Sequence, residues 1–73
     1  MDYKAFFIDV EKWISQANQA AVQYGMGNEK FWAWVADSVG ALCKKYQENK
    51  LVIKQMIMLT EWLEEVYEGR RSG

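Results

Sequence analysis

Apolar residues recur along the first third of the chain at alternating spacings of four and three, the period of one face of an α-helix. Phe6 and Trp13 widen this stripe. Asp2 is placed to cap the start of the helix, and Gly25 is the first glycine after the pattern. The pattern therefore predicts a helix over residues 3–24. The stripe comprises Tyr3, Phe7, Val10, Ile14, Ala17, Ala21 and Tyr24.

The segment YGMGNEK that follows carries the signals for the end of one helix and the start of the next. Gly25 or Gly27 suits the left-handed conformation at a helix C-terminus. Asn28 suits an N-cap, and Glu29 then lies where a negative charge favours the helix dipole. A clear break is therefore predicted between the first helix and the rest of the chain.

The second break is harder to place, because the polar stretch KKYQENK contains neither Gly nor Pro. If it were a loop, the apolar stripes on its two sides would not need to share a register. They do share one, through residues spaced by seven: Val35, Leu42, Asn49, Met56 and Leu63. Between these fall Trp32, Val39, Tyr46, Ile53, Thr60 and Tyr67. The shared register predicts one long helix over residues 29–68, with Asn49 as a polar residue in its apolar face.

The predicted fold is therefore all-α: an antiparallel hairpin of a helix over 3–24 and a helix over 29–68. The long helix would span about 57 Å and the first about 33 Å, so one end of the long helix would stay uncovered. We expect that end to drive a homodimeric four-helix assembly. The alternative is a break near 47–50, which gives a monomeric three-helix bundle. The expected dimer interface is Val35, Leu42, Asn49, Val52, Ile53, Met56, Leu59, Leu63 and Val66.

Composition also favours a partner. The chain has 73 residues, of which 51% are hydrophobic and four are Trp. A chain of this length buries only about 60% of its unfolded surface. Its core therefore gives marginal stability unless disulfides, a bound metal or oligomerisation add to it. One Cys and no His exclude an internal disulfide and a Cys/His zinc site. We predict a single domain over 1–73, with residues 70–73 as a frayed tail, and no cofactor.

Charge argues against nucleic acid as the main partner. Nine basic and ten acidic residues are intermixed, for a net charge of −1. A weak nucleic-acid site is conceivable only on a face of Lys44, Lys45, Lys50 and Lys54, with Glu48 among them. The lone thiol suits a reducing compartment, and the pattern contains no signal peptide or membrane span. A cytoplasmic location is therefore expected.

The segment NKLVIKQMIMLTEWLEEVYEG, residues 49–69, resembles the C-terminal half of the YvfG family of small uncharacterised proteins of bacilli. Phe6, Phe7, Val10 and Ile14 resemble the first helix of that family more loosely. The resemblance implies a bacterial two-helix protomer that pairs into a homodimer, with no established activity. The residues that carry it are Asn49, Val52, Ile53, Lys54, Met56, Leu59, Glu61, Val66 and Gly69.

Candidate catalytic groups are few. Cys43 beside Lys44 offers a thiol of lowered pKa, although a free Cys on a helix is more often a buried hydrophobe. The glutamates Glu61, Glu64, Glu65 and Glu68 offer paired carboxylates, although such a run is more often a solvated helix face. We therefore predict that the protein is not an enzyme.

The expected function is protein–protein interaction or regulation by a small homodimer. The candidate partner-binding residues are Trp34, Trp62, Glu61, Glu64 and Glu65, because an exposed Trp is a common binding hot spot. Trp34 lies about 200° around the helix from Trp32, so one of the two is predicted to be exposed or in a second interface. The alternative function is a monomeric three-helix inhibitor or adaptor, of the kind that a phage or mobile element encodes.

Overall fold

The computed structural model describes residues 1–72 of the chain, and the side chains of residues 1–70. This part of the chain contains three helices and no strand: α1 (Tyr3–Tyr24), α2 (Glu29–Lys45) and α3 (Lys50–Ser72). The predicted all-α class is confirmed.

The first helix and the first turn form as the local signals predict. The Asp2 carboxylate accepts the Ala5 N–H at 3.0 Å at the start of α1. Gly25 ends the helix at φ 80°, a conformation that glycine adopts without steric penalty, and its N–H donates to the Ala21 carbonyl. The Asn28 side chain then accepts the Lys30 N–H at 2.9 Å and caps α2.

The predicted continuous helix over 29–68 is wrong, because the chain leaves the helical conformation after Lys45. The Glu48 N–H donates to the Cys43 carbonyl at 2.7 Å, and the Gln47 N–H donates to the Lys44 carbonyl at 3.0 Å. These two bonds form a Schellman motif, which satisfies carbonyls at a helix C-terminus. Gln47 and Glu48 both have φ 56°, the left-handed region that usually needs glycine. The break near 47–50 given as the alternative is the one observed.

Asn49 begins the next helix and is not a polar residue within a long one. Its side-chain oxygen accepts the Leu51 N–H at 2.9 Å, and its carbonyl accepts the Ile53 N–H at 3.0 Å. A side-chain bond of this kind satisfies one of the N–H groups that a helix start leaves without a partner. Asn49 is therefore the N-cap of α3.

The chain divides into two compact units, of which the first is Met1–Ser38. In it, Trp13 of α1 stacks on Trp34 of α2 with ring centroids 5.7 Å apart. The Trp13 Nε1–H donates to the Ser38 hydroxyl at 2.8 Å, which gives a buried polar atom its partner. These contacts pair α1 with the first part of α2.

The buried face of α1 lies to one side of the predicted stripe. Tyr3 and Phe7 were placed on that stripe and are exposed, whereas Val10 and Ala17 belong to both faces. The observed face keeps the spacing of four and three. It includes Phe6 and Trp13, which the prediction had placed at the edge of the apolar stripe. Its members are Phe6, Val10, Trp13, Ala17 and Ala20.

The second unit, Val39–Gly73, holds the end of α2, the turn and α3. One face of α3 is buried at spacings of four, three and four, through Val52, Met56, Leu59 and Leu63. The helix runs to Ser72, past the predicted end at 68 and into the predicted frayed tail over 70–73. Gly69 therefore does not stop the helix, and residue 73 lies outside the described residues.

Candidate protein-interaction surface

The residues predicted to form a dimer interface are covered within the single chain to differing degrees. Val35, Val52, Met56, Leu59 and Leu63 are buried, and Leu42, Asn49, Ile53 and Val66 are half-buried. In this conformation the five buried side chains present almost no surface to a second chain. Their contact with such a chain stays a prediction.

Four large apolar side chains on the described part of α3 face solvent; Ile57, 51% exposed, lies on one side of the helix, and the other three lie together on another side, beside the buried face. Leu51, Met58 and Trp62 are 43%, 55% and 41% exposed. Their positions, seven and then four residues apart, place them in line along one side of the helix. We call these three residues the α3 strip. Gln55, half-buried, occupies the position between Leu51 and Met58 on the same side.

Charged residues border the α3 strip in a definite order. Lys54 and Glu61, seven residues apart, lie along one edge of it, and Glu65 lies beside its C-terminal end. All three side chains are exposed. Glu64, another predicted partner-binding residue, is exposed on a different side of the helix. The border of the strip is thus basic in its N-terminal half and acidic in its C-terminal half.

Sequence reasoning singled out Trp62 and missed the other two members of the strip. The available signal was a second alternating pattern over Leu51, Gln55, Met58 and Trp62. This pattern contains the polar Gln55 and is therefore less apolar than the neighbouring stripe. The sequence does not show which of the two faces is buried.

The tryptophans of α2 are not a free surface. The Trp34 ring stacks on Trp13, and the Trp32 Nε1–H donates to the Met26 carbonyl at 2.7 Å. Both indoles are half-buried. Neither indole is fully exposed, because each contacts a group of the first unit, and a second interface for one of them stays a prediction.

The candidate catalytic groups are the Cys43 thiol and the glutamates of α3. Burial raises the pKa of the Cys43 thiol, and the nearby Glu48 carboxylate raises it further. A raised pKa opposes the thiolate that a nucleophile requires and argues against the lowered-pKa alternative, which the sequence favours less than a small hydrophobe. Within the described residues, no group of three His, Cys, Asp or Glu side chains is placed to hold a metal ion.

The four lysines of the proposed basic face are exposed and divided between two helices. Lys44 and Lys45 end α2, and Lys50 and Lys54 lie in the first turns of α3. The Lys45 Nζ lies 5.7 Å from the centroid of the Tyr46 ring, which is a cation–π distance. The Lys45 ammonium group is therefore in contact with the Tyr46 ring.

Other exposed surface gives weaker candidates. On α1, Val22 is 88% exposed and borders a shallow hollow of about 350 Å³. Val22 and three amide side chains of the same helix line the hollow, and none of these four is titratable. The amides are Asn18, Gln19 and Gln23. Over the described residues, none of the helices is long and apolar enough to cross a membrane.

No family model, curated protein or solved structure matches this chain. The resemblance of residues 49–69 to the YvfG family therefore stays a prediction. The α3 strip with its charged border is one exposed apolar surface of the described residues, and Tyr3, Phe7 and Ile8 on α1 are also exposed.

Proposed function

We propose that this chain is a protein–protein interaction module that forms a homodimer through the α3 strip and performs no catalysis. The observation that carries the proposal is the line of three exposed apolar side chains, Leu51, Met58 and Trp62, on one side of a single helix. A contiguous apolar patch with a polar rim marks an interaction site, and Trp is the residue most enriched at binding hot spots.

The charged border supports a second copy of the same chain as the occupant. In an antiparallel pair of α3 helices related by a two-fold axis, the same edge of each helix faces its counterpart. Lys54 of one protomer then comes near Glu61 of the other, twice by symmetry. Leu51 of one protomer lies near Trp62 of the other, with Met58 close to the axis. A parallel two-fold pair would instead put the Lys54 and Glu61 edges of the two helices on opposite sides of the interface, where these charges could not pair.

The lack of catalysis rests on the chemistry of the side chains. The sequence has no His, and the lone Cys43 has a thiol whose pKa is raised. The glutamates near the α3 strip are then rim residues that select a partner. A single thiol also keeps the proposal compatible with a reducing, cytoplasmic setting.

The second candidate function is a monomeric three-helix inhibitor or adaptor. The observed break between α2 and α3 favours it, because a chain with that break covers Val52 and Met56 without a partner. In that case the α3 strip binds a different protein. The two candidates differ in the oligomeric state of the purified chain.

Light scattering and sedimentation across a dilution series test the homodimer. We expect the wild-type chain to dimerise at micromolar concentration and Trp62→Lys to weaken the dimer at least about tenfold, because a buried aromatic anchor is lost. Val22→Lys is the matched control, since Val22 is exposed and apolar but lies on α1. A wild-type monomer at every concentration, or equal weakening by the control, would contradict the proposal.

Charge exchange tests the antiparallel orientation of the same dimer. Lys54→Glu and Glu61→Lys should each weaken self-association, because each puts like charges together at two symmetric places. An equal mixture of the two variants should form a heterodimer in preference to either homodimer. Mixing without any recovery of association would contradict the antiparallel arrangement.

A further inference from the structure

We propose that the turn between α2 and α3 is a hinge that opens into continuous helix, and that the open chain exchanges α3 with a second copy. The chain then has two forms: a closed one with the observed turn, and a domain-swapped dimer. This goes beyond pairing through the α3 strip, because the exchanged dimer uses the buried face of α3.

The first support is the backbone of the turn. Gln47 and Glu48 have φ 56° in succession, and neither is glycine. The left-handed conformation brings Cβ too close to the following carbonyl oxygen, so each residue is disfavoured there. Gln and Glu are also among the better helix formers, so both residues favour the helical alternative.

The second support is the register of the apolar residues across the turn. Residues spaced by seven, from Val35 and Leu42 through Asn49 to Met56 and Leu63, would share one face of a continuous helix. Opening the hinge therefore joins the buried faces of α2 and α3 into one uninterrupted face. No Gly or Pro lies between Ala41 and Glu68 to prevent it.

The third support is burial, and it requires a second chain. Val52 and Met56 are 0% exposed, so a lone chain that swung α3 away would expose both. If the α3 of a second copy takes the vacated place, the same contacts form again between chains. Exchange of an identical element is a low-cost route to dimers, and short strained hinges favour it.

A pair of hinge variants tests the inference in the Trp62→Lys background, which removes pairing through the α3 strip. Gln47→Ala with Glu48→Ala favours helix, whereas Gln47→Gly with Glu48→Gly favours the left-handed turn. Both variants lose the polar groups of the two side chains and differ from each other only by the Cβ methyls of alanine, which set the backbone preference. Each is refolded at high protein concentration, diluted, and assayed by size exclusion with light scattering.

We expect the Ala variant to retain a dimer that survives dilution for hours, at a dimer-to-monomer ratio at least about tenfold above that of the Gly variant. Slow dissociation is expected because exchange requires α3 to leave its site. If the Ala variant fails to fold, the unmodified hinge is compared with Gln47→Gly in the same background and should give more of the persistent dimer.

Equal dimer fractions for the Ala and Gly hinges, or for the unmodified hinge and Gln47→Gly, would overturn the inference. That outcome leaves pairing through the α3 strip untouched, because the strip is tested with the native hinge. Conversely, a wild-type dimer that Trp62→Lys fails to weaken contradicts pairing through the strip and leaves the hinge comparison valid.

Discussion

At the scale of single residues, the helix starts of this chain are set by one kind of bond. The side-chain oxygens of Asp2, Asn28 and Asn49 each accept a backbone N–H in the first turn of a helix, at 3.0, 2.9 and 2.9 Å. The first two lie beside a chain start or a glycine-containing turn, and the sequence identifies them as caps. Asn49 lies in a run of helix formers, where the same side chain also suits a polar position on an apolar face.

Replacing Asn49 distinguishes these two roles. As a cap, Asn49→Ala should lower the free energy of unfolding by about 1 kcal/mol, because the Leu51 N–H loses its acceptor. Asn49→Asp and Asn49→Ser keep an acceptor and should lose much less. Urea unfolding followed by circular dichroism measures all three.

Asn49→Leu gives the opposite sign for the two roles. It should lower stability if Asn49 caps α3, and raise stability if Asn49 lies on a continuous apolar face. A variant more stable than wild type would contradict the cap.

At the scale of elements, the turn that ends α1 contains glycine, whereas the turn that ends α2 does not. α1 ends at Gly25, whose φ of 80° suits glycine. α2 ends in a Schellman motif that places Gln47 where glycine is usual. The absence of glycine there explains why sequence reasoning joined α2 and α3, since no residue type announces the stop.

Replacing a glycine by alanine tests both elements, because the same substitution should have opposite effects on the free energy of unfolding at the two positions. Gly40 lies within α2, and Gly25 ends α1 at positive φ. An added Cβ meets nothing within 4 Å at either position, so only backbone preference is altered. Gly40→Ala should raise the free energy of unfolding by about 1 kcal/mol, through helix propensity.

Gly25→Ala should lower the free energy of unfolding by about 1 kcal/mol, because alanine is disfavoured at positive φ. Both variants are measured by urea unfolding at a single protein concentration. Stabilisation by Gly25→Ala would contradict the observed end of α1, and destabilisation by Gly40→Ala would contradict an unbroken α2.

At the scale of the whole molecule, the apolar surplus of the sequence is divided between a buried set and an exposed set. Phe6, Phe31, Val52 and Met56 are almost fully buried. Among the described residues, the remaining large apolar side chains reach solvent mainly on α1 and α3, and the α3 strip has Lys54 and Glu61 along one edge. The exposed apolar side chains of the α3 strip are thus not among the residues of the predicted dimer interface.

A homodimer makes thermal stability depend on concentration, because unfolding is then coupled to dissociation. We expect the melting temperature to rise by about 3–5 °C for each tenfold increase in protein concentration, given the unfolding entropy of a chain this small. Trp62→Lys should abolish most of this dependence, whereas Val22→Lys should retain it. Differential scanning calorimetry at three concentrations measures the effect, and a concentration-independent wild-type midpoint would contradict the homodimer.

Local chemistry allowed much of the fold to be predicted, and packing decided most of the site. The bounds of α1 and the first turn follow from Asp2, Gly25 and Asn28, whose effects extend over one helical turn. Trp62 was identified because an exposed Trp is a common binding hot spot. Leu51 and Met58 were not, because an apolar residue on a helix of broad apolar arc fits a core as well as a surface.

The sequence by itself determined the helical class, the first helix and its turn, because periodicity, caps and glycine act between residues a few positions apart. Only the tertiary structure decided that α2 stops after Lys45, which faces of α1 and α3 are buried, and that Trp34 is taken up by Trp13. The physical reason is that a helical period is the same in one long helix as in two short ones joined in register. Burial, which depends on what the rest of the chain covers, distinguishes them.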